Sequence, residues 1–119
     1  MPNRHGEFIW YELLTTDSNA ALAFYGAILG WQATDSGQPN MDYRILSARD
    51  EDTGEPREVG GLMQLTEEMC QGGARPVWLG YIAVEAVDQA VANITEMGGS
   101  VQMPPTDIPD VGRLAMVSD

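Results

Sequence analysis

A chain of 119 residues is long enough for one ordinary domain and too short for two. Its 44% hydrophobic residues can fill a core, and 20% charged residues are too few for a disordered chain. The formal net charge is −12 and every cation is an arginine, which disfavours nucleic acid and anionic membrane surfaces as partners and removes lysine Schiff-base chemistry.

Phe8 to Thr15, rich in aromatic and branched residues, predicts a strand. Asp17 then offers a helix N-cap, and Ala21, Phe24, Tyr25, Ile28 and Leu29 follow at helical spacing until Gly30 closes the helix. Trp31 to Thr34 and Tyr43 to Ala48 predict strands. Arg49 to Glu58 is charged, holds Gly54 and Pro56, and reads as an exposed loop. Val59 to Leu65 predicts a strand that starts with Gly60 and Gly61. Thr66 to Pro76 reads as the one internal linker.

The pattern then restarts. Val77 to Glu85 predicts a strand, Asp88 a second N-cap, and Val87, Ala90, Val91, Ile94 and Met97 the buried face of a second helix. Gly98 and Gly99 end that helix. Ser100 to Met103 predicts a strand, Pro104 to Asp110 a proline-rich loop, and Arg113 to Val117 a last strand. Trp10 lies seven residues before Asp17, and Tyr81 lies seven before Asp88. One strand–helix–strands unit is therefore written twice, over about residues 6–65 and 77–119 of a single domain.

Cys70 is the only cysteine, which excludes an internal disulfide and a thiolate metal cluster. The opening residues, Met1 to Gly6, lack a basic region followed by an apolar run, so no signal peptide is expected and a cytoplasmic location is. His5, the single histidine, is expected on an exposed arm and leaves a Ser-His-Asp triad without basis. Asp50-Glu51-Asp52 lacks the spacing of a calcium loop and reads as a solvated acidic turn.

Glu12-Leu13-Leu14-Thr15-Thr16-Asp17, Ala23-Phe24-Tyr25 and Leu29-Gly30-Trp31 resemble the opening of the vicinal oxygen chelate superfamily, which includes glyoxalase I, bleomycin-resistance proteins and extradiol dioxygenases. Tyr81-Ile82-Ala83-Val84, Val87-Asp88, Gly98-Gly99 and Pro104 to Pro109 resemble its second half. The resemblance implies an α+β fold of paired βαβββ modules forming an open, cup-shaped sheet, with the second module lacking its last strand. It also implies a divalent metal in the cup, held by first-strand and last-strand residues of each module. Those first-strand positions fall here on Trp10 and Tyr81, and the first module's last strand offers Gly60, Gly61, Leu62 and Met63. The standard ligands are thus absent at three of the four positions, and the fourth would lie beyond Asp119, so no cofactor is expected, with a divalent metal at a non-standard site as the alternative.

Strand alternation places Phe8, Trp10, Glu12 and Leu14 on the cup side, and Tyr11 and Leu13 toward the helices. In the second module Leu79, Tyr81, Ala83 and Glu85 share the cup side. The expected pocket is lined by Trp10, Glu12 and Tyr81, with Tyr43 and Met63 nearby, and suits a flat, apolar or cationic ligand. Against it stands packing of Trp10 and Tyr81 between modules. Glu12 is the candidate for chemistry, as a general base or as counter-charge to a cation; an ion pair with Arg44 or Arg113 is the alternative.

Three functions remain open. One is a metal-free module binding a small hydrophobic or cationic molecule, as the resemblance to bleomycin-resistance proteins implies. Another is an enzyme like lactoylglutathione lyase or a dioxygenase, with a non-standard site using Glu12. The third is a structural or interaction module. A homodimer is expected.

Overall fold

In the computed structural model, which describes residues 3–119, the branched and aromatic run Phe8–Thr15 forms β1. Thr16 and Asp17 turn the chain into α1 (Ser18–Leu29), where an Asp17 carboxylate oxygen accepts the Ala20 amide at 3.0 Å. This satisfies one of the amides that a helix start leaves free. Gly30 ends α1 in the left-handed conformation at φ 72° and returns its N–H to the Gly26 carbonyl. That geometry suits glycine because it has no Cβ to clash. Next come β2 (Gln32–Asp35), β3 (Tyr43–Arg49) and β4 (Pro56–Gln64). The expected loop is shorter than predicted, because Pro56 to Glu58 pair with β3 as the start of β4.

The segment expected as a linker contains α2 (Glu67–Gln71), capped by the Thr66 hydroxyl accepting the Met69 amide at 3.1 Å. Strand β5 (Val77–Ile82) then pairs antiparallel with β1. Beyond it lie α3 (Val87–Glu96), β6 (Ser100–Ile108) and β7 (Gly112–Ser118). The fold is α+β, with a five-stranded sheet in the order β2-β3-β4-β1-β5 and a two-stranded sheet of β6 and β7.

The chain divides into two compact units. Phe8–Ile82 forms one, and residues up to Glu7 together with Ala83–Asp119 form the other. In the first, β1 runs parallel to β4 while the other neighbours are antiparallel. Leu13, Leu46 and Leu62 form its core under Ala21, Leu22 and Tyr25 of α1. Burying each leucine contributes about 1.5–3 kcal/mol. Gln64 ties the helix start to the sheet. Its carbonyl oxygen accepts the Ser18 amide at 2.8 Å and its amide donates to the Thr16 carbonyl at 2.7 Å.

In the other unit α3 packs on the β6–β7 hairpin. Asp88 is not its cap. The cap position is Ala86, without a side-chain bond, and Asp88 stands in the first turn paired to Arg113 at 2.8 Å. Met97, expected on the buried face, is 85% exposed because the helix has already ended at Glu96. The proline-rich segment is part of β6 as far as Ile108, and the register with β7 shifts between Met103 and Thr106, across Pro104 and Pro105. Prolines cannot donate to a ladder, so they are tolerated where the register slips. Among the described residues no strand follows β7. The His5 Nδ1 accepts the Glu85 amide at 3.0 Å. None of the described helices is long and apolar enough to cross a membrane.

A candidate site: a buried carboxylate beside two tyrosines on one sheet face

Register and strand alternation together sort the five-stranded sheet into two faces. Leu13, Leu46 and Leu62 face α1. The opposite face presents Trp10, Glu12 and Leu14 of β1, with Gly61 and Met63 of β4 beside them: Glu12 pairs with Gly61, and Leu14 with Met63. Tyr43 of β3 pairs with Met63, and Tyr81 of β5 pairs with Trp10. The structure therefore brings Trp10, Glu12, Tyr43, Met63 and Tyr81 to one patch.

Phe8 does not share that face. A register shift between Phe8 and Trp10 breaks the alternation, and Phe8 stacks on Tyr11 with ring centroids 6.0 Å apart. The extra residue of a bulge reverses the side on which a side chain emerges. Ala83 and Glu85 lie beyond the end of β5.

Glu12 is 4% exposed. The Tyr81 hydroxyl donates to Glu12 Oε2 at 3.0 Å, reaching diagonally along the neighbouring strand. The Trp10 Nε1–H donates to the Tyr43 hydroxyl at 2.8 Å, and that hydroxyl lies near enough to the Glu12 carboxylate to favour its charged form. Burial raises the Glu12 pKa above the ordinary carboxylate range, and the Tyr43 and Tyr81 hydroxyls beside it offset only part of that rise. Burial also pushes both phenols well above the usual tyrosine range, helped by the nearby Glu12 charge. The phenols therefore stay protonated and serve as donors.

Each expected arginine is paired within its own unit. Arg44 is engaged by Asp42 and Asn19, and Arg113 by Asp88 and Asp107. Glu12 is a buried carboxyl group that accepts from the neutral Tyr81 hydroxyl and has no ion pair among the described residues.

Gly61 is the functional position that sequence reasoning did not single out. A Cβ there would overlap the Tyr43 hydroxyl and ring. Tyr43 on β3 can reach across β4 to Trp10 on β1 only because position 61 has no side chain. The signal was present as a glycine inside a strand, which often marks a close approach.

The donor set does not fit a divalent metal. Among the described residues no three His, Cys, Asp or Glu side chains converge on a common point. The indole at position 10 cannot ligate, the phenol at 81 is a protonated donor, and Glu12 already accepts from it.

A mixed fold built on a parallel β1–β4 pair and a helix over one sheet face is that of the vicinal oxygen chelate proteins. Residues 7–119 match the Glyoxalase/Bleomycin resistance protein/Dioxygenase superfamily, and the chain belongs to it. It is 40% identical over 120 residues to CFP32 of Mycobacterium tuberculosis, a protein named as a glyoxylase, and 32% identical over 114 residues to the anthracycline biosynthesis protein DauV of a Streptomyces species. These alignments cover 98% and 96% of this chain but only 41% and 38% of the relatives. The chain thus spans about two-fifths of their length. Two solved structures of Streptomyces coelicolor methylmalonyl-CoA epimerase variants, each bound to 2-nitronate-propionyl-CoA, share the fold. Their TM-scores are 0.55 and 0.57 at 16% and 17% identity, over 96% of this chain and 85% and 88% of theirs.

Proposed function

We propose that the sheet face bearing Glu12 binds a small hydrophobic or cationic molecule without a divalent metal. One observation carries this reading: Glu12 is buried on an interior strand and accepts from the Tyr81 phenol, with no ion pair among the described residues. A buried carboxyl group without a cation is poised to receive one, or to exchange a hydrogen bond with a polar ligand atom. Trp10, Tyr43 and Tyr81 supply the aromatic surface a flat ligand would stack against, and Met63 adapts its edge. The relatives' names, a glyoxylase and an anthracycline biosynthesis protein, fit small carbonyl-bearing or polycyclic molecules in the same region. A second copy of this chain is the proposed partner, in keeping with the paired modules of the superfamily.

The test is a thermal-shift and titration screen of the purified chain with aromatic cations and thioether metabolites, repeated with Glu12→Gln. A hit that Glu12→Gln abolishes supports the reading, and unchanged binding in that variant defeats it. A stoichiometric divalent ion retained through purification would overturn the metal-free part.

The raised Glu12 pKa favours a second reading, in which Glu12 is a general base on a carbon acid. Solvent deuterium appearing in a recovered ligand distinguishes this base from a counter-charge that leaves the ligand unchanged.

A further inference from the structure

The face of the five-stranded sheet that carries α1 holds a groove of about 550 Å³, within the range of small-molecule sites. Tyr11, Trp31 and Trp78 line it with Leu46 and Val59, and Arg57 is its one charged lining residue. The aromatic walls are fixed from behind. Tyr25 stacks on Trp31 with centroids 5.5 Å apart and meets Trp78 edge-on at 5.6 Å. Trp78 Nε1 donates to the Tyr25 hydroxyl at 3.1 Å, which fixes the indole's orientation. Tyr11 nevertheless remains 50% exposed and Trp78 40%. Aromatic surface that is held in place yet open to solvent gives up little freedom when a flat molecule stacks on it.

Charge selects the class of molecule. Indole faces attract cations, but the Arg57 guanidinium brings positive charge to the same groove. Among the described residues Arg57 has no side-chain hydrogen bond or ion pair. Asp50, the acid that feels its charge, accepts instead from the Asp52 and Thr53 amides. The overall charge of −12 opposes an anion only weakly, because charges are screened beyond about 8 Å at physiological salt.

We infer that this groove is a second ligand site, taking a planar aromatic acid whose rings lie against Trp31 and Trp78 and whose carboxylate pairs with Arg57. It is independent of the Glu12 reading, because it uses the opposite sheet face and the opposite ligand charge.

Two-dimensional NMR of the full chain with indole nitrogens labelled tests it directly. Trp31 and Trp78 report on this groove, and Trp10 reports on the Glu12 face. The probes are 2-naphthoate and its uncharged analogue, 2-naphthalenemethanol. Naphthoate should shift the Trp31 and Trp78 signals and spare Trp10, with a Kd of about 1 mM or tighter. Arg57→Gln, a change in an exposed residue, should weaken naphthoate about tenfold and leave the alcohol unaffected. The inference is overturned if neither indole shifts at millimolar probe, if Trp10 alone shifts, or if acid and alcohol bind equally well in the unaltered chain. It is also overturned if the chain self-associates with Trp78 shielded from iodide quenching, because a second copy then fills the groove.

Discussion

The Trp10 indole and the Tyr43 hydroxyl, on strands separated by β4, are joined by a 2.8 Å hydrogen bond that passes over Gly61. Gly61→Ala should therefore destabilise the fold by about 1–3 kcal/mol, the usual cost of forcing atoms into a filled space. In a Tyr43→Leu background the same substitution should cost less than about 1 kcal/mol, since the obstructing ring is gone. Urea titrations of the four proteins measure this, and additive costs would show that Tyr43 is not what excludes a side chain at 61.

Replacing Tyr43 with phenylalanine removes the acceptor of the Trp10 N–H and a hydroxyl that lowers the Glu12 pKa. A lost partner in a half-buried site costs about 1–3 kcal/mol. The Trp10 indole resonance should move, and the Glu12 pKa should rise further because one of the hydroxyls that lower it is gone. An unmoved indole signal would contradict the bond.

The raised Glu12 pKa makes stability depend on pH with a definite sign. Near its ordinary value of 4.5 the unfolded chain begins to lose the proton while the folded chain keeps it. The folded state then holds more protons, so stability falls as pH rises from there to the raised folded value and levels off beyond it. Glu12→Gln removes that fall. The urea midpoint of the variant should gain on the parent from pH 4.5 upward, and parallel curves would show that Glu12 is not desolvated.

Asp17 and Asp88 occupy corresponding sequence positions but do different work. Asp17→Ala should cost about 1 kcal/mol at any salt concentration, through the lost cap. Asp88→Ala removes an exposed pair with Arg113, worth about 0–1 kcal/mol, and that difference should shrink in 1 M salt, where the screening length falls to about 3 Å. Equal, salt-independent losses would show that both residues cap.

Leu62 is 1% exposed between Leu13 and Leu46. Leu62→Ala should destabilise by about 2–5 kcal/mol through lost burial and the cavity left behind. A loss under about 1 kcal/mol would mean that the core collapses around the gap.

Much of the fold could be read along the chain. The strands at Phe8, Tyr43 and Arg113, the Asp17 cap and the Gly30 stop all depend on residues close in sequence, and local chemistry is what a sequence displays directly. Errors arose where a long-range partner overruled local signals. Pro56 to Glu58 look like loop and become strand because β3 supplies hydrogen bonds to pair with. Pro104 and Pro105 look like a break and sit in β6 because the register with β7 slips there. The second helix offers Asp88 as a cap, yet its first turn begins two residues earlier and Arg113 claims the carboxylate.

The same division holds at the site. Alternation along β1 was enough to put Trp10 and Glu12 on one face, because side chains of a strand take opposite sides in turn. It failed at Phe8, where a bulge that no local residue announces resets the count. The sequence by itself determined the superfamily and the α+β fold class. Only the tertiary structure decided that Glu12 accepts from Tyr81 while Arg44 and Arg113 pair with their own aspartates, and that Gly61 makes room for the Trp10–Tyr43 bond. The physical reason is distance: these groups come from β1, β3, β4 and β5, and their contacts are set by sheet register, which side-chain chemistry along one strand does not encode.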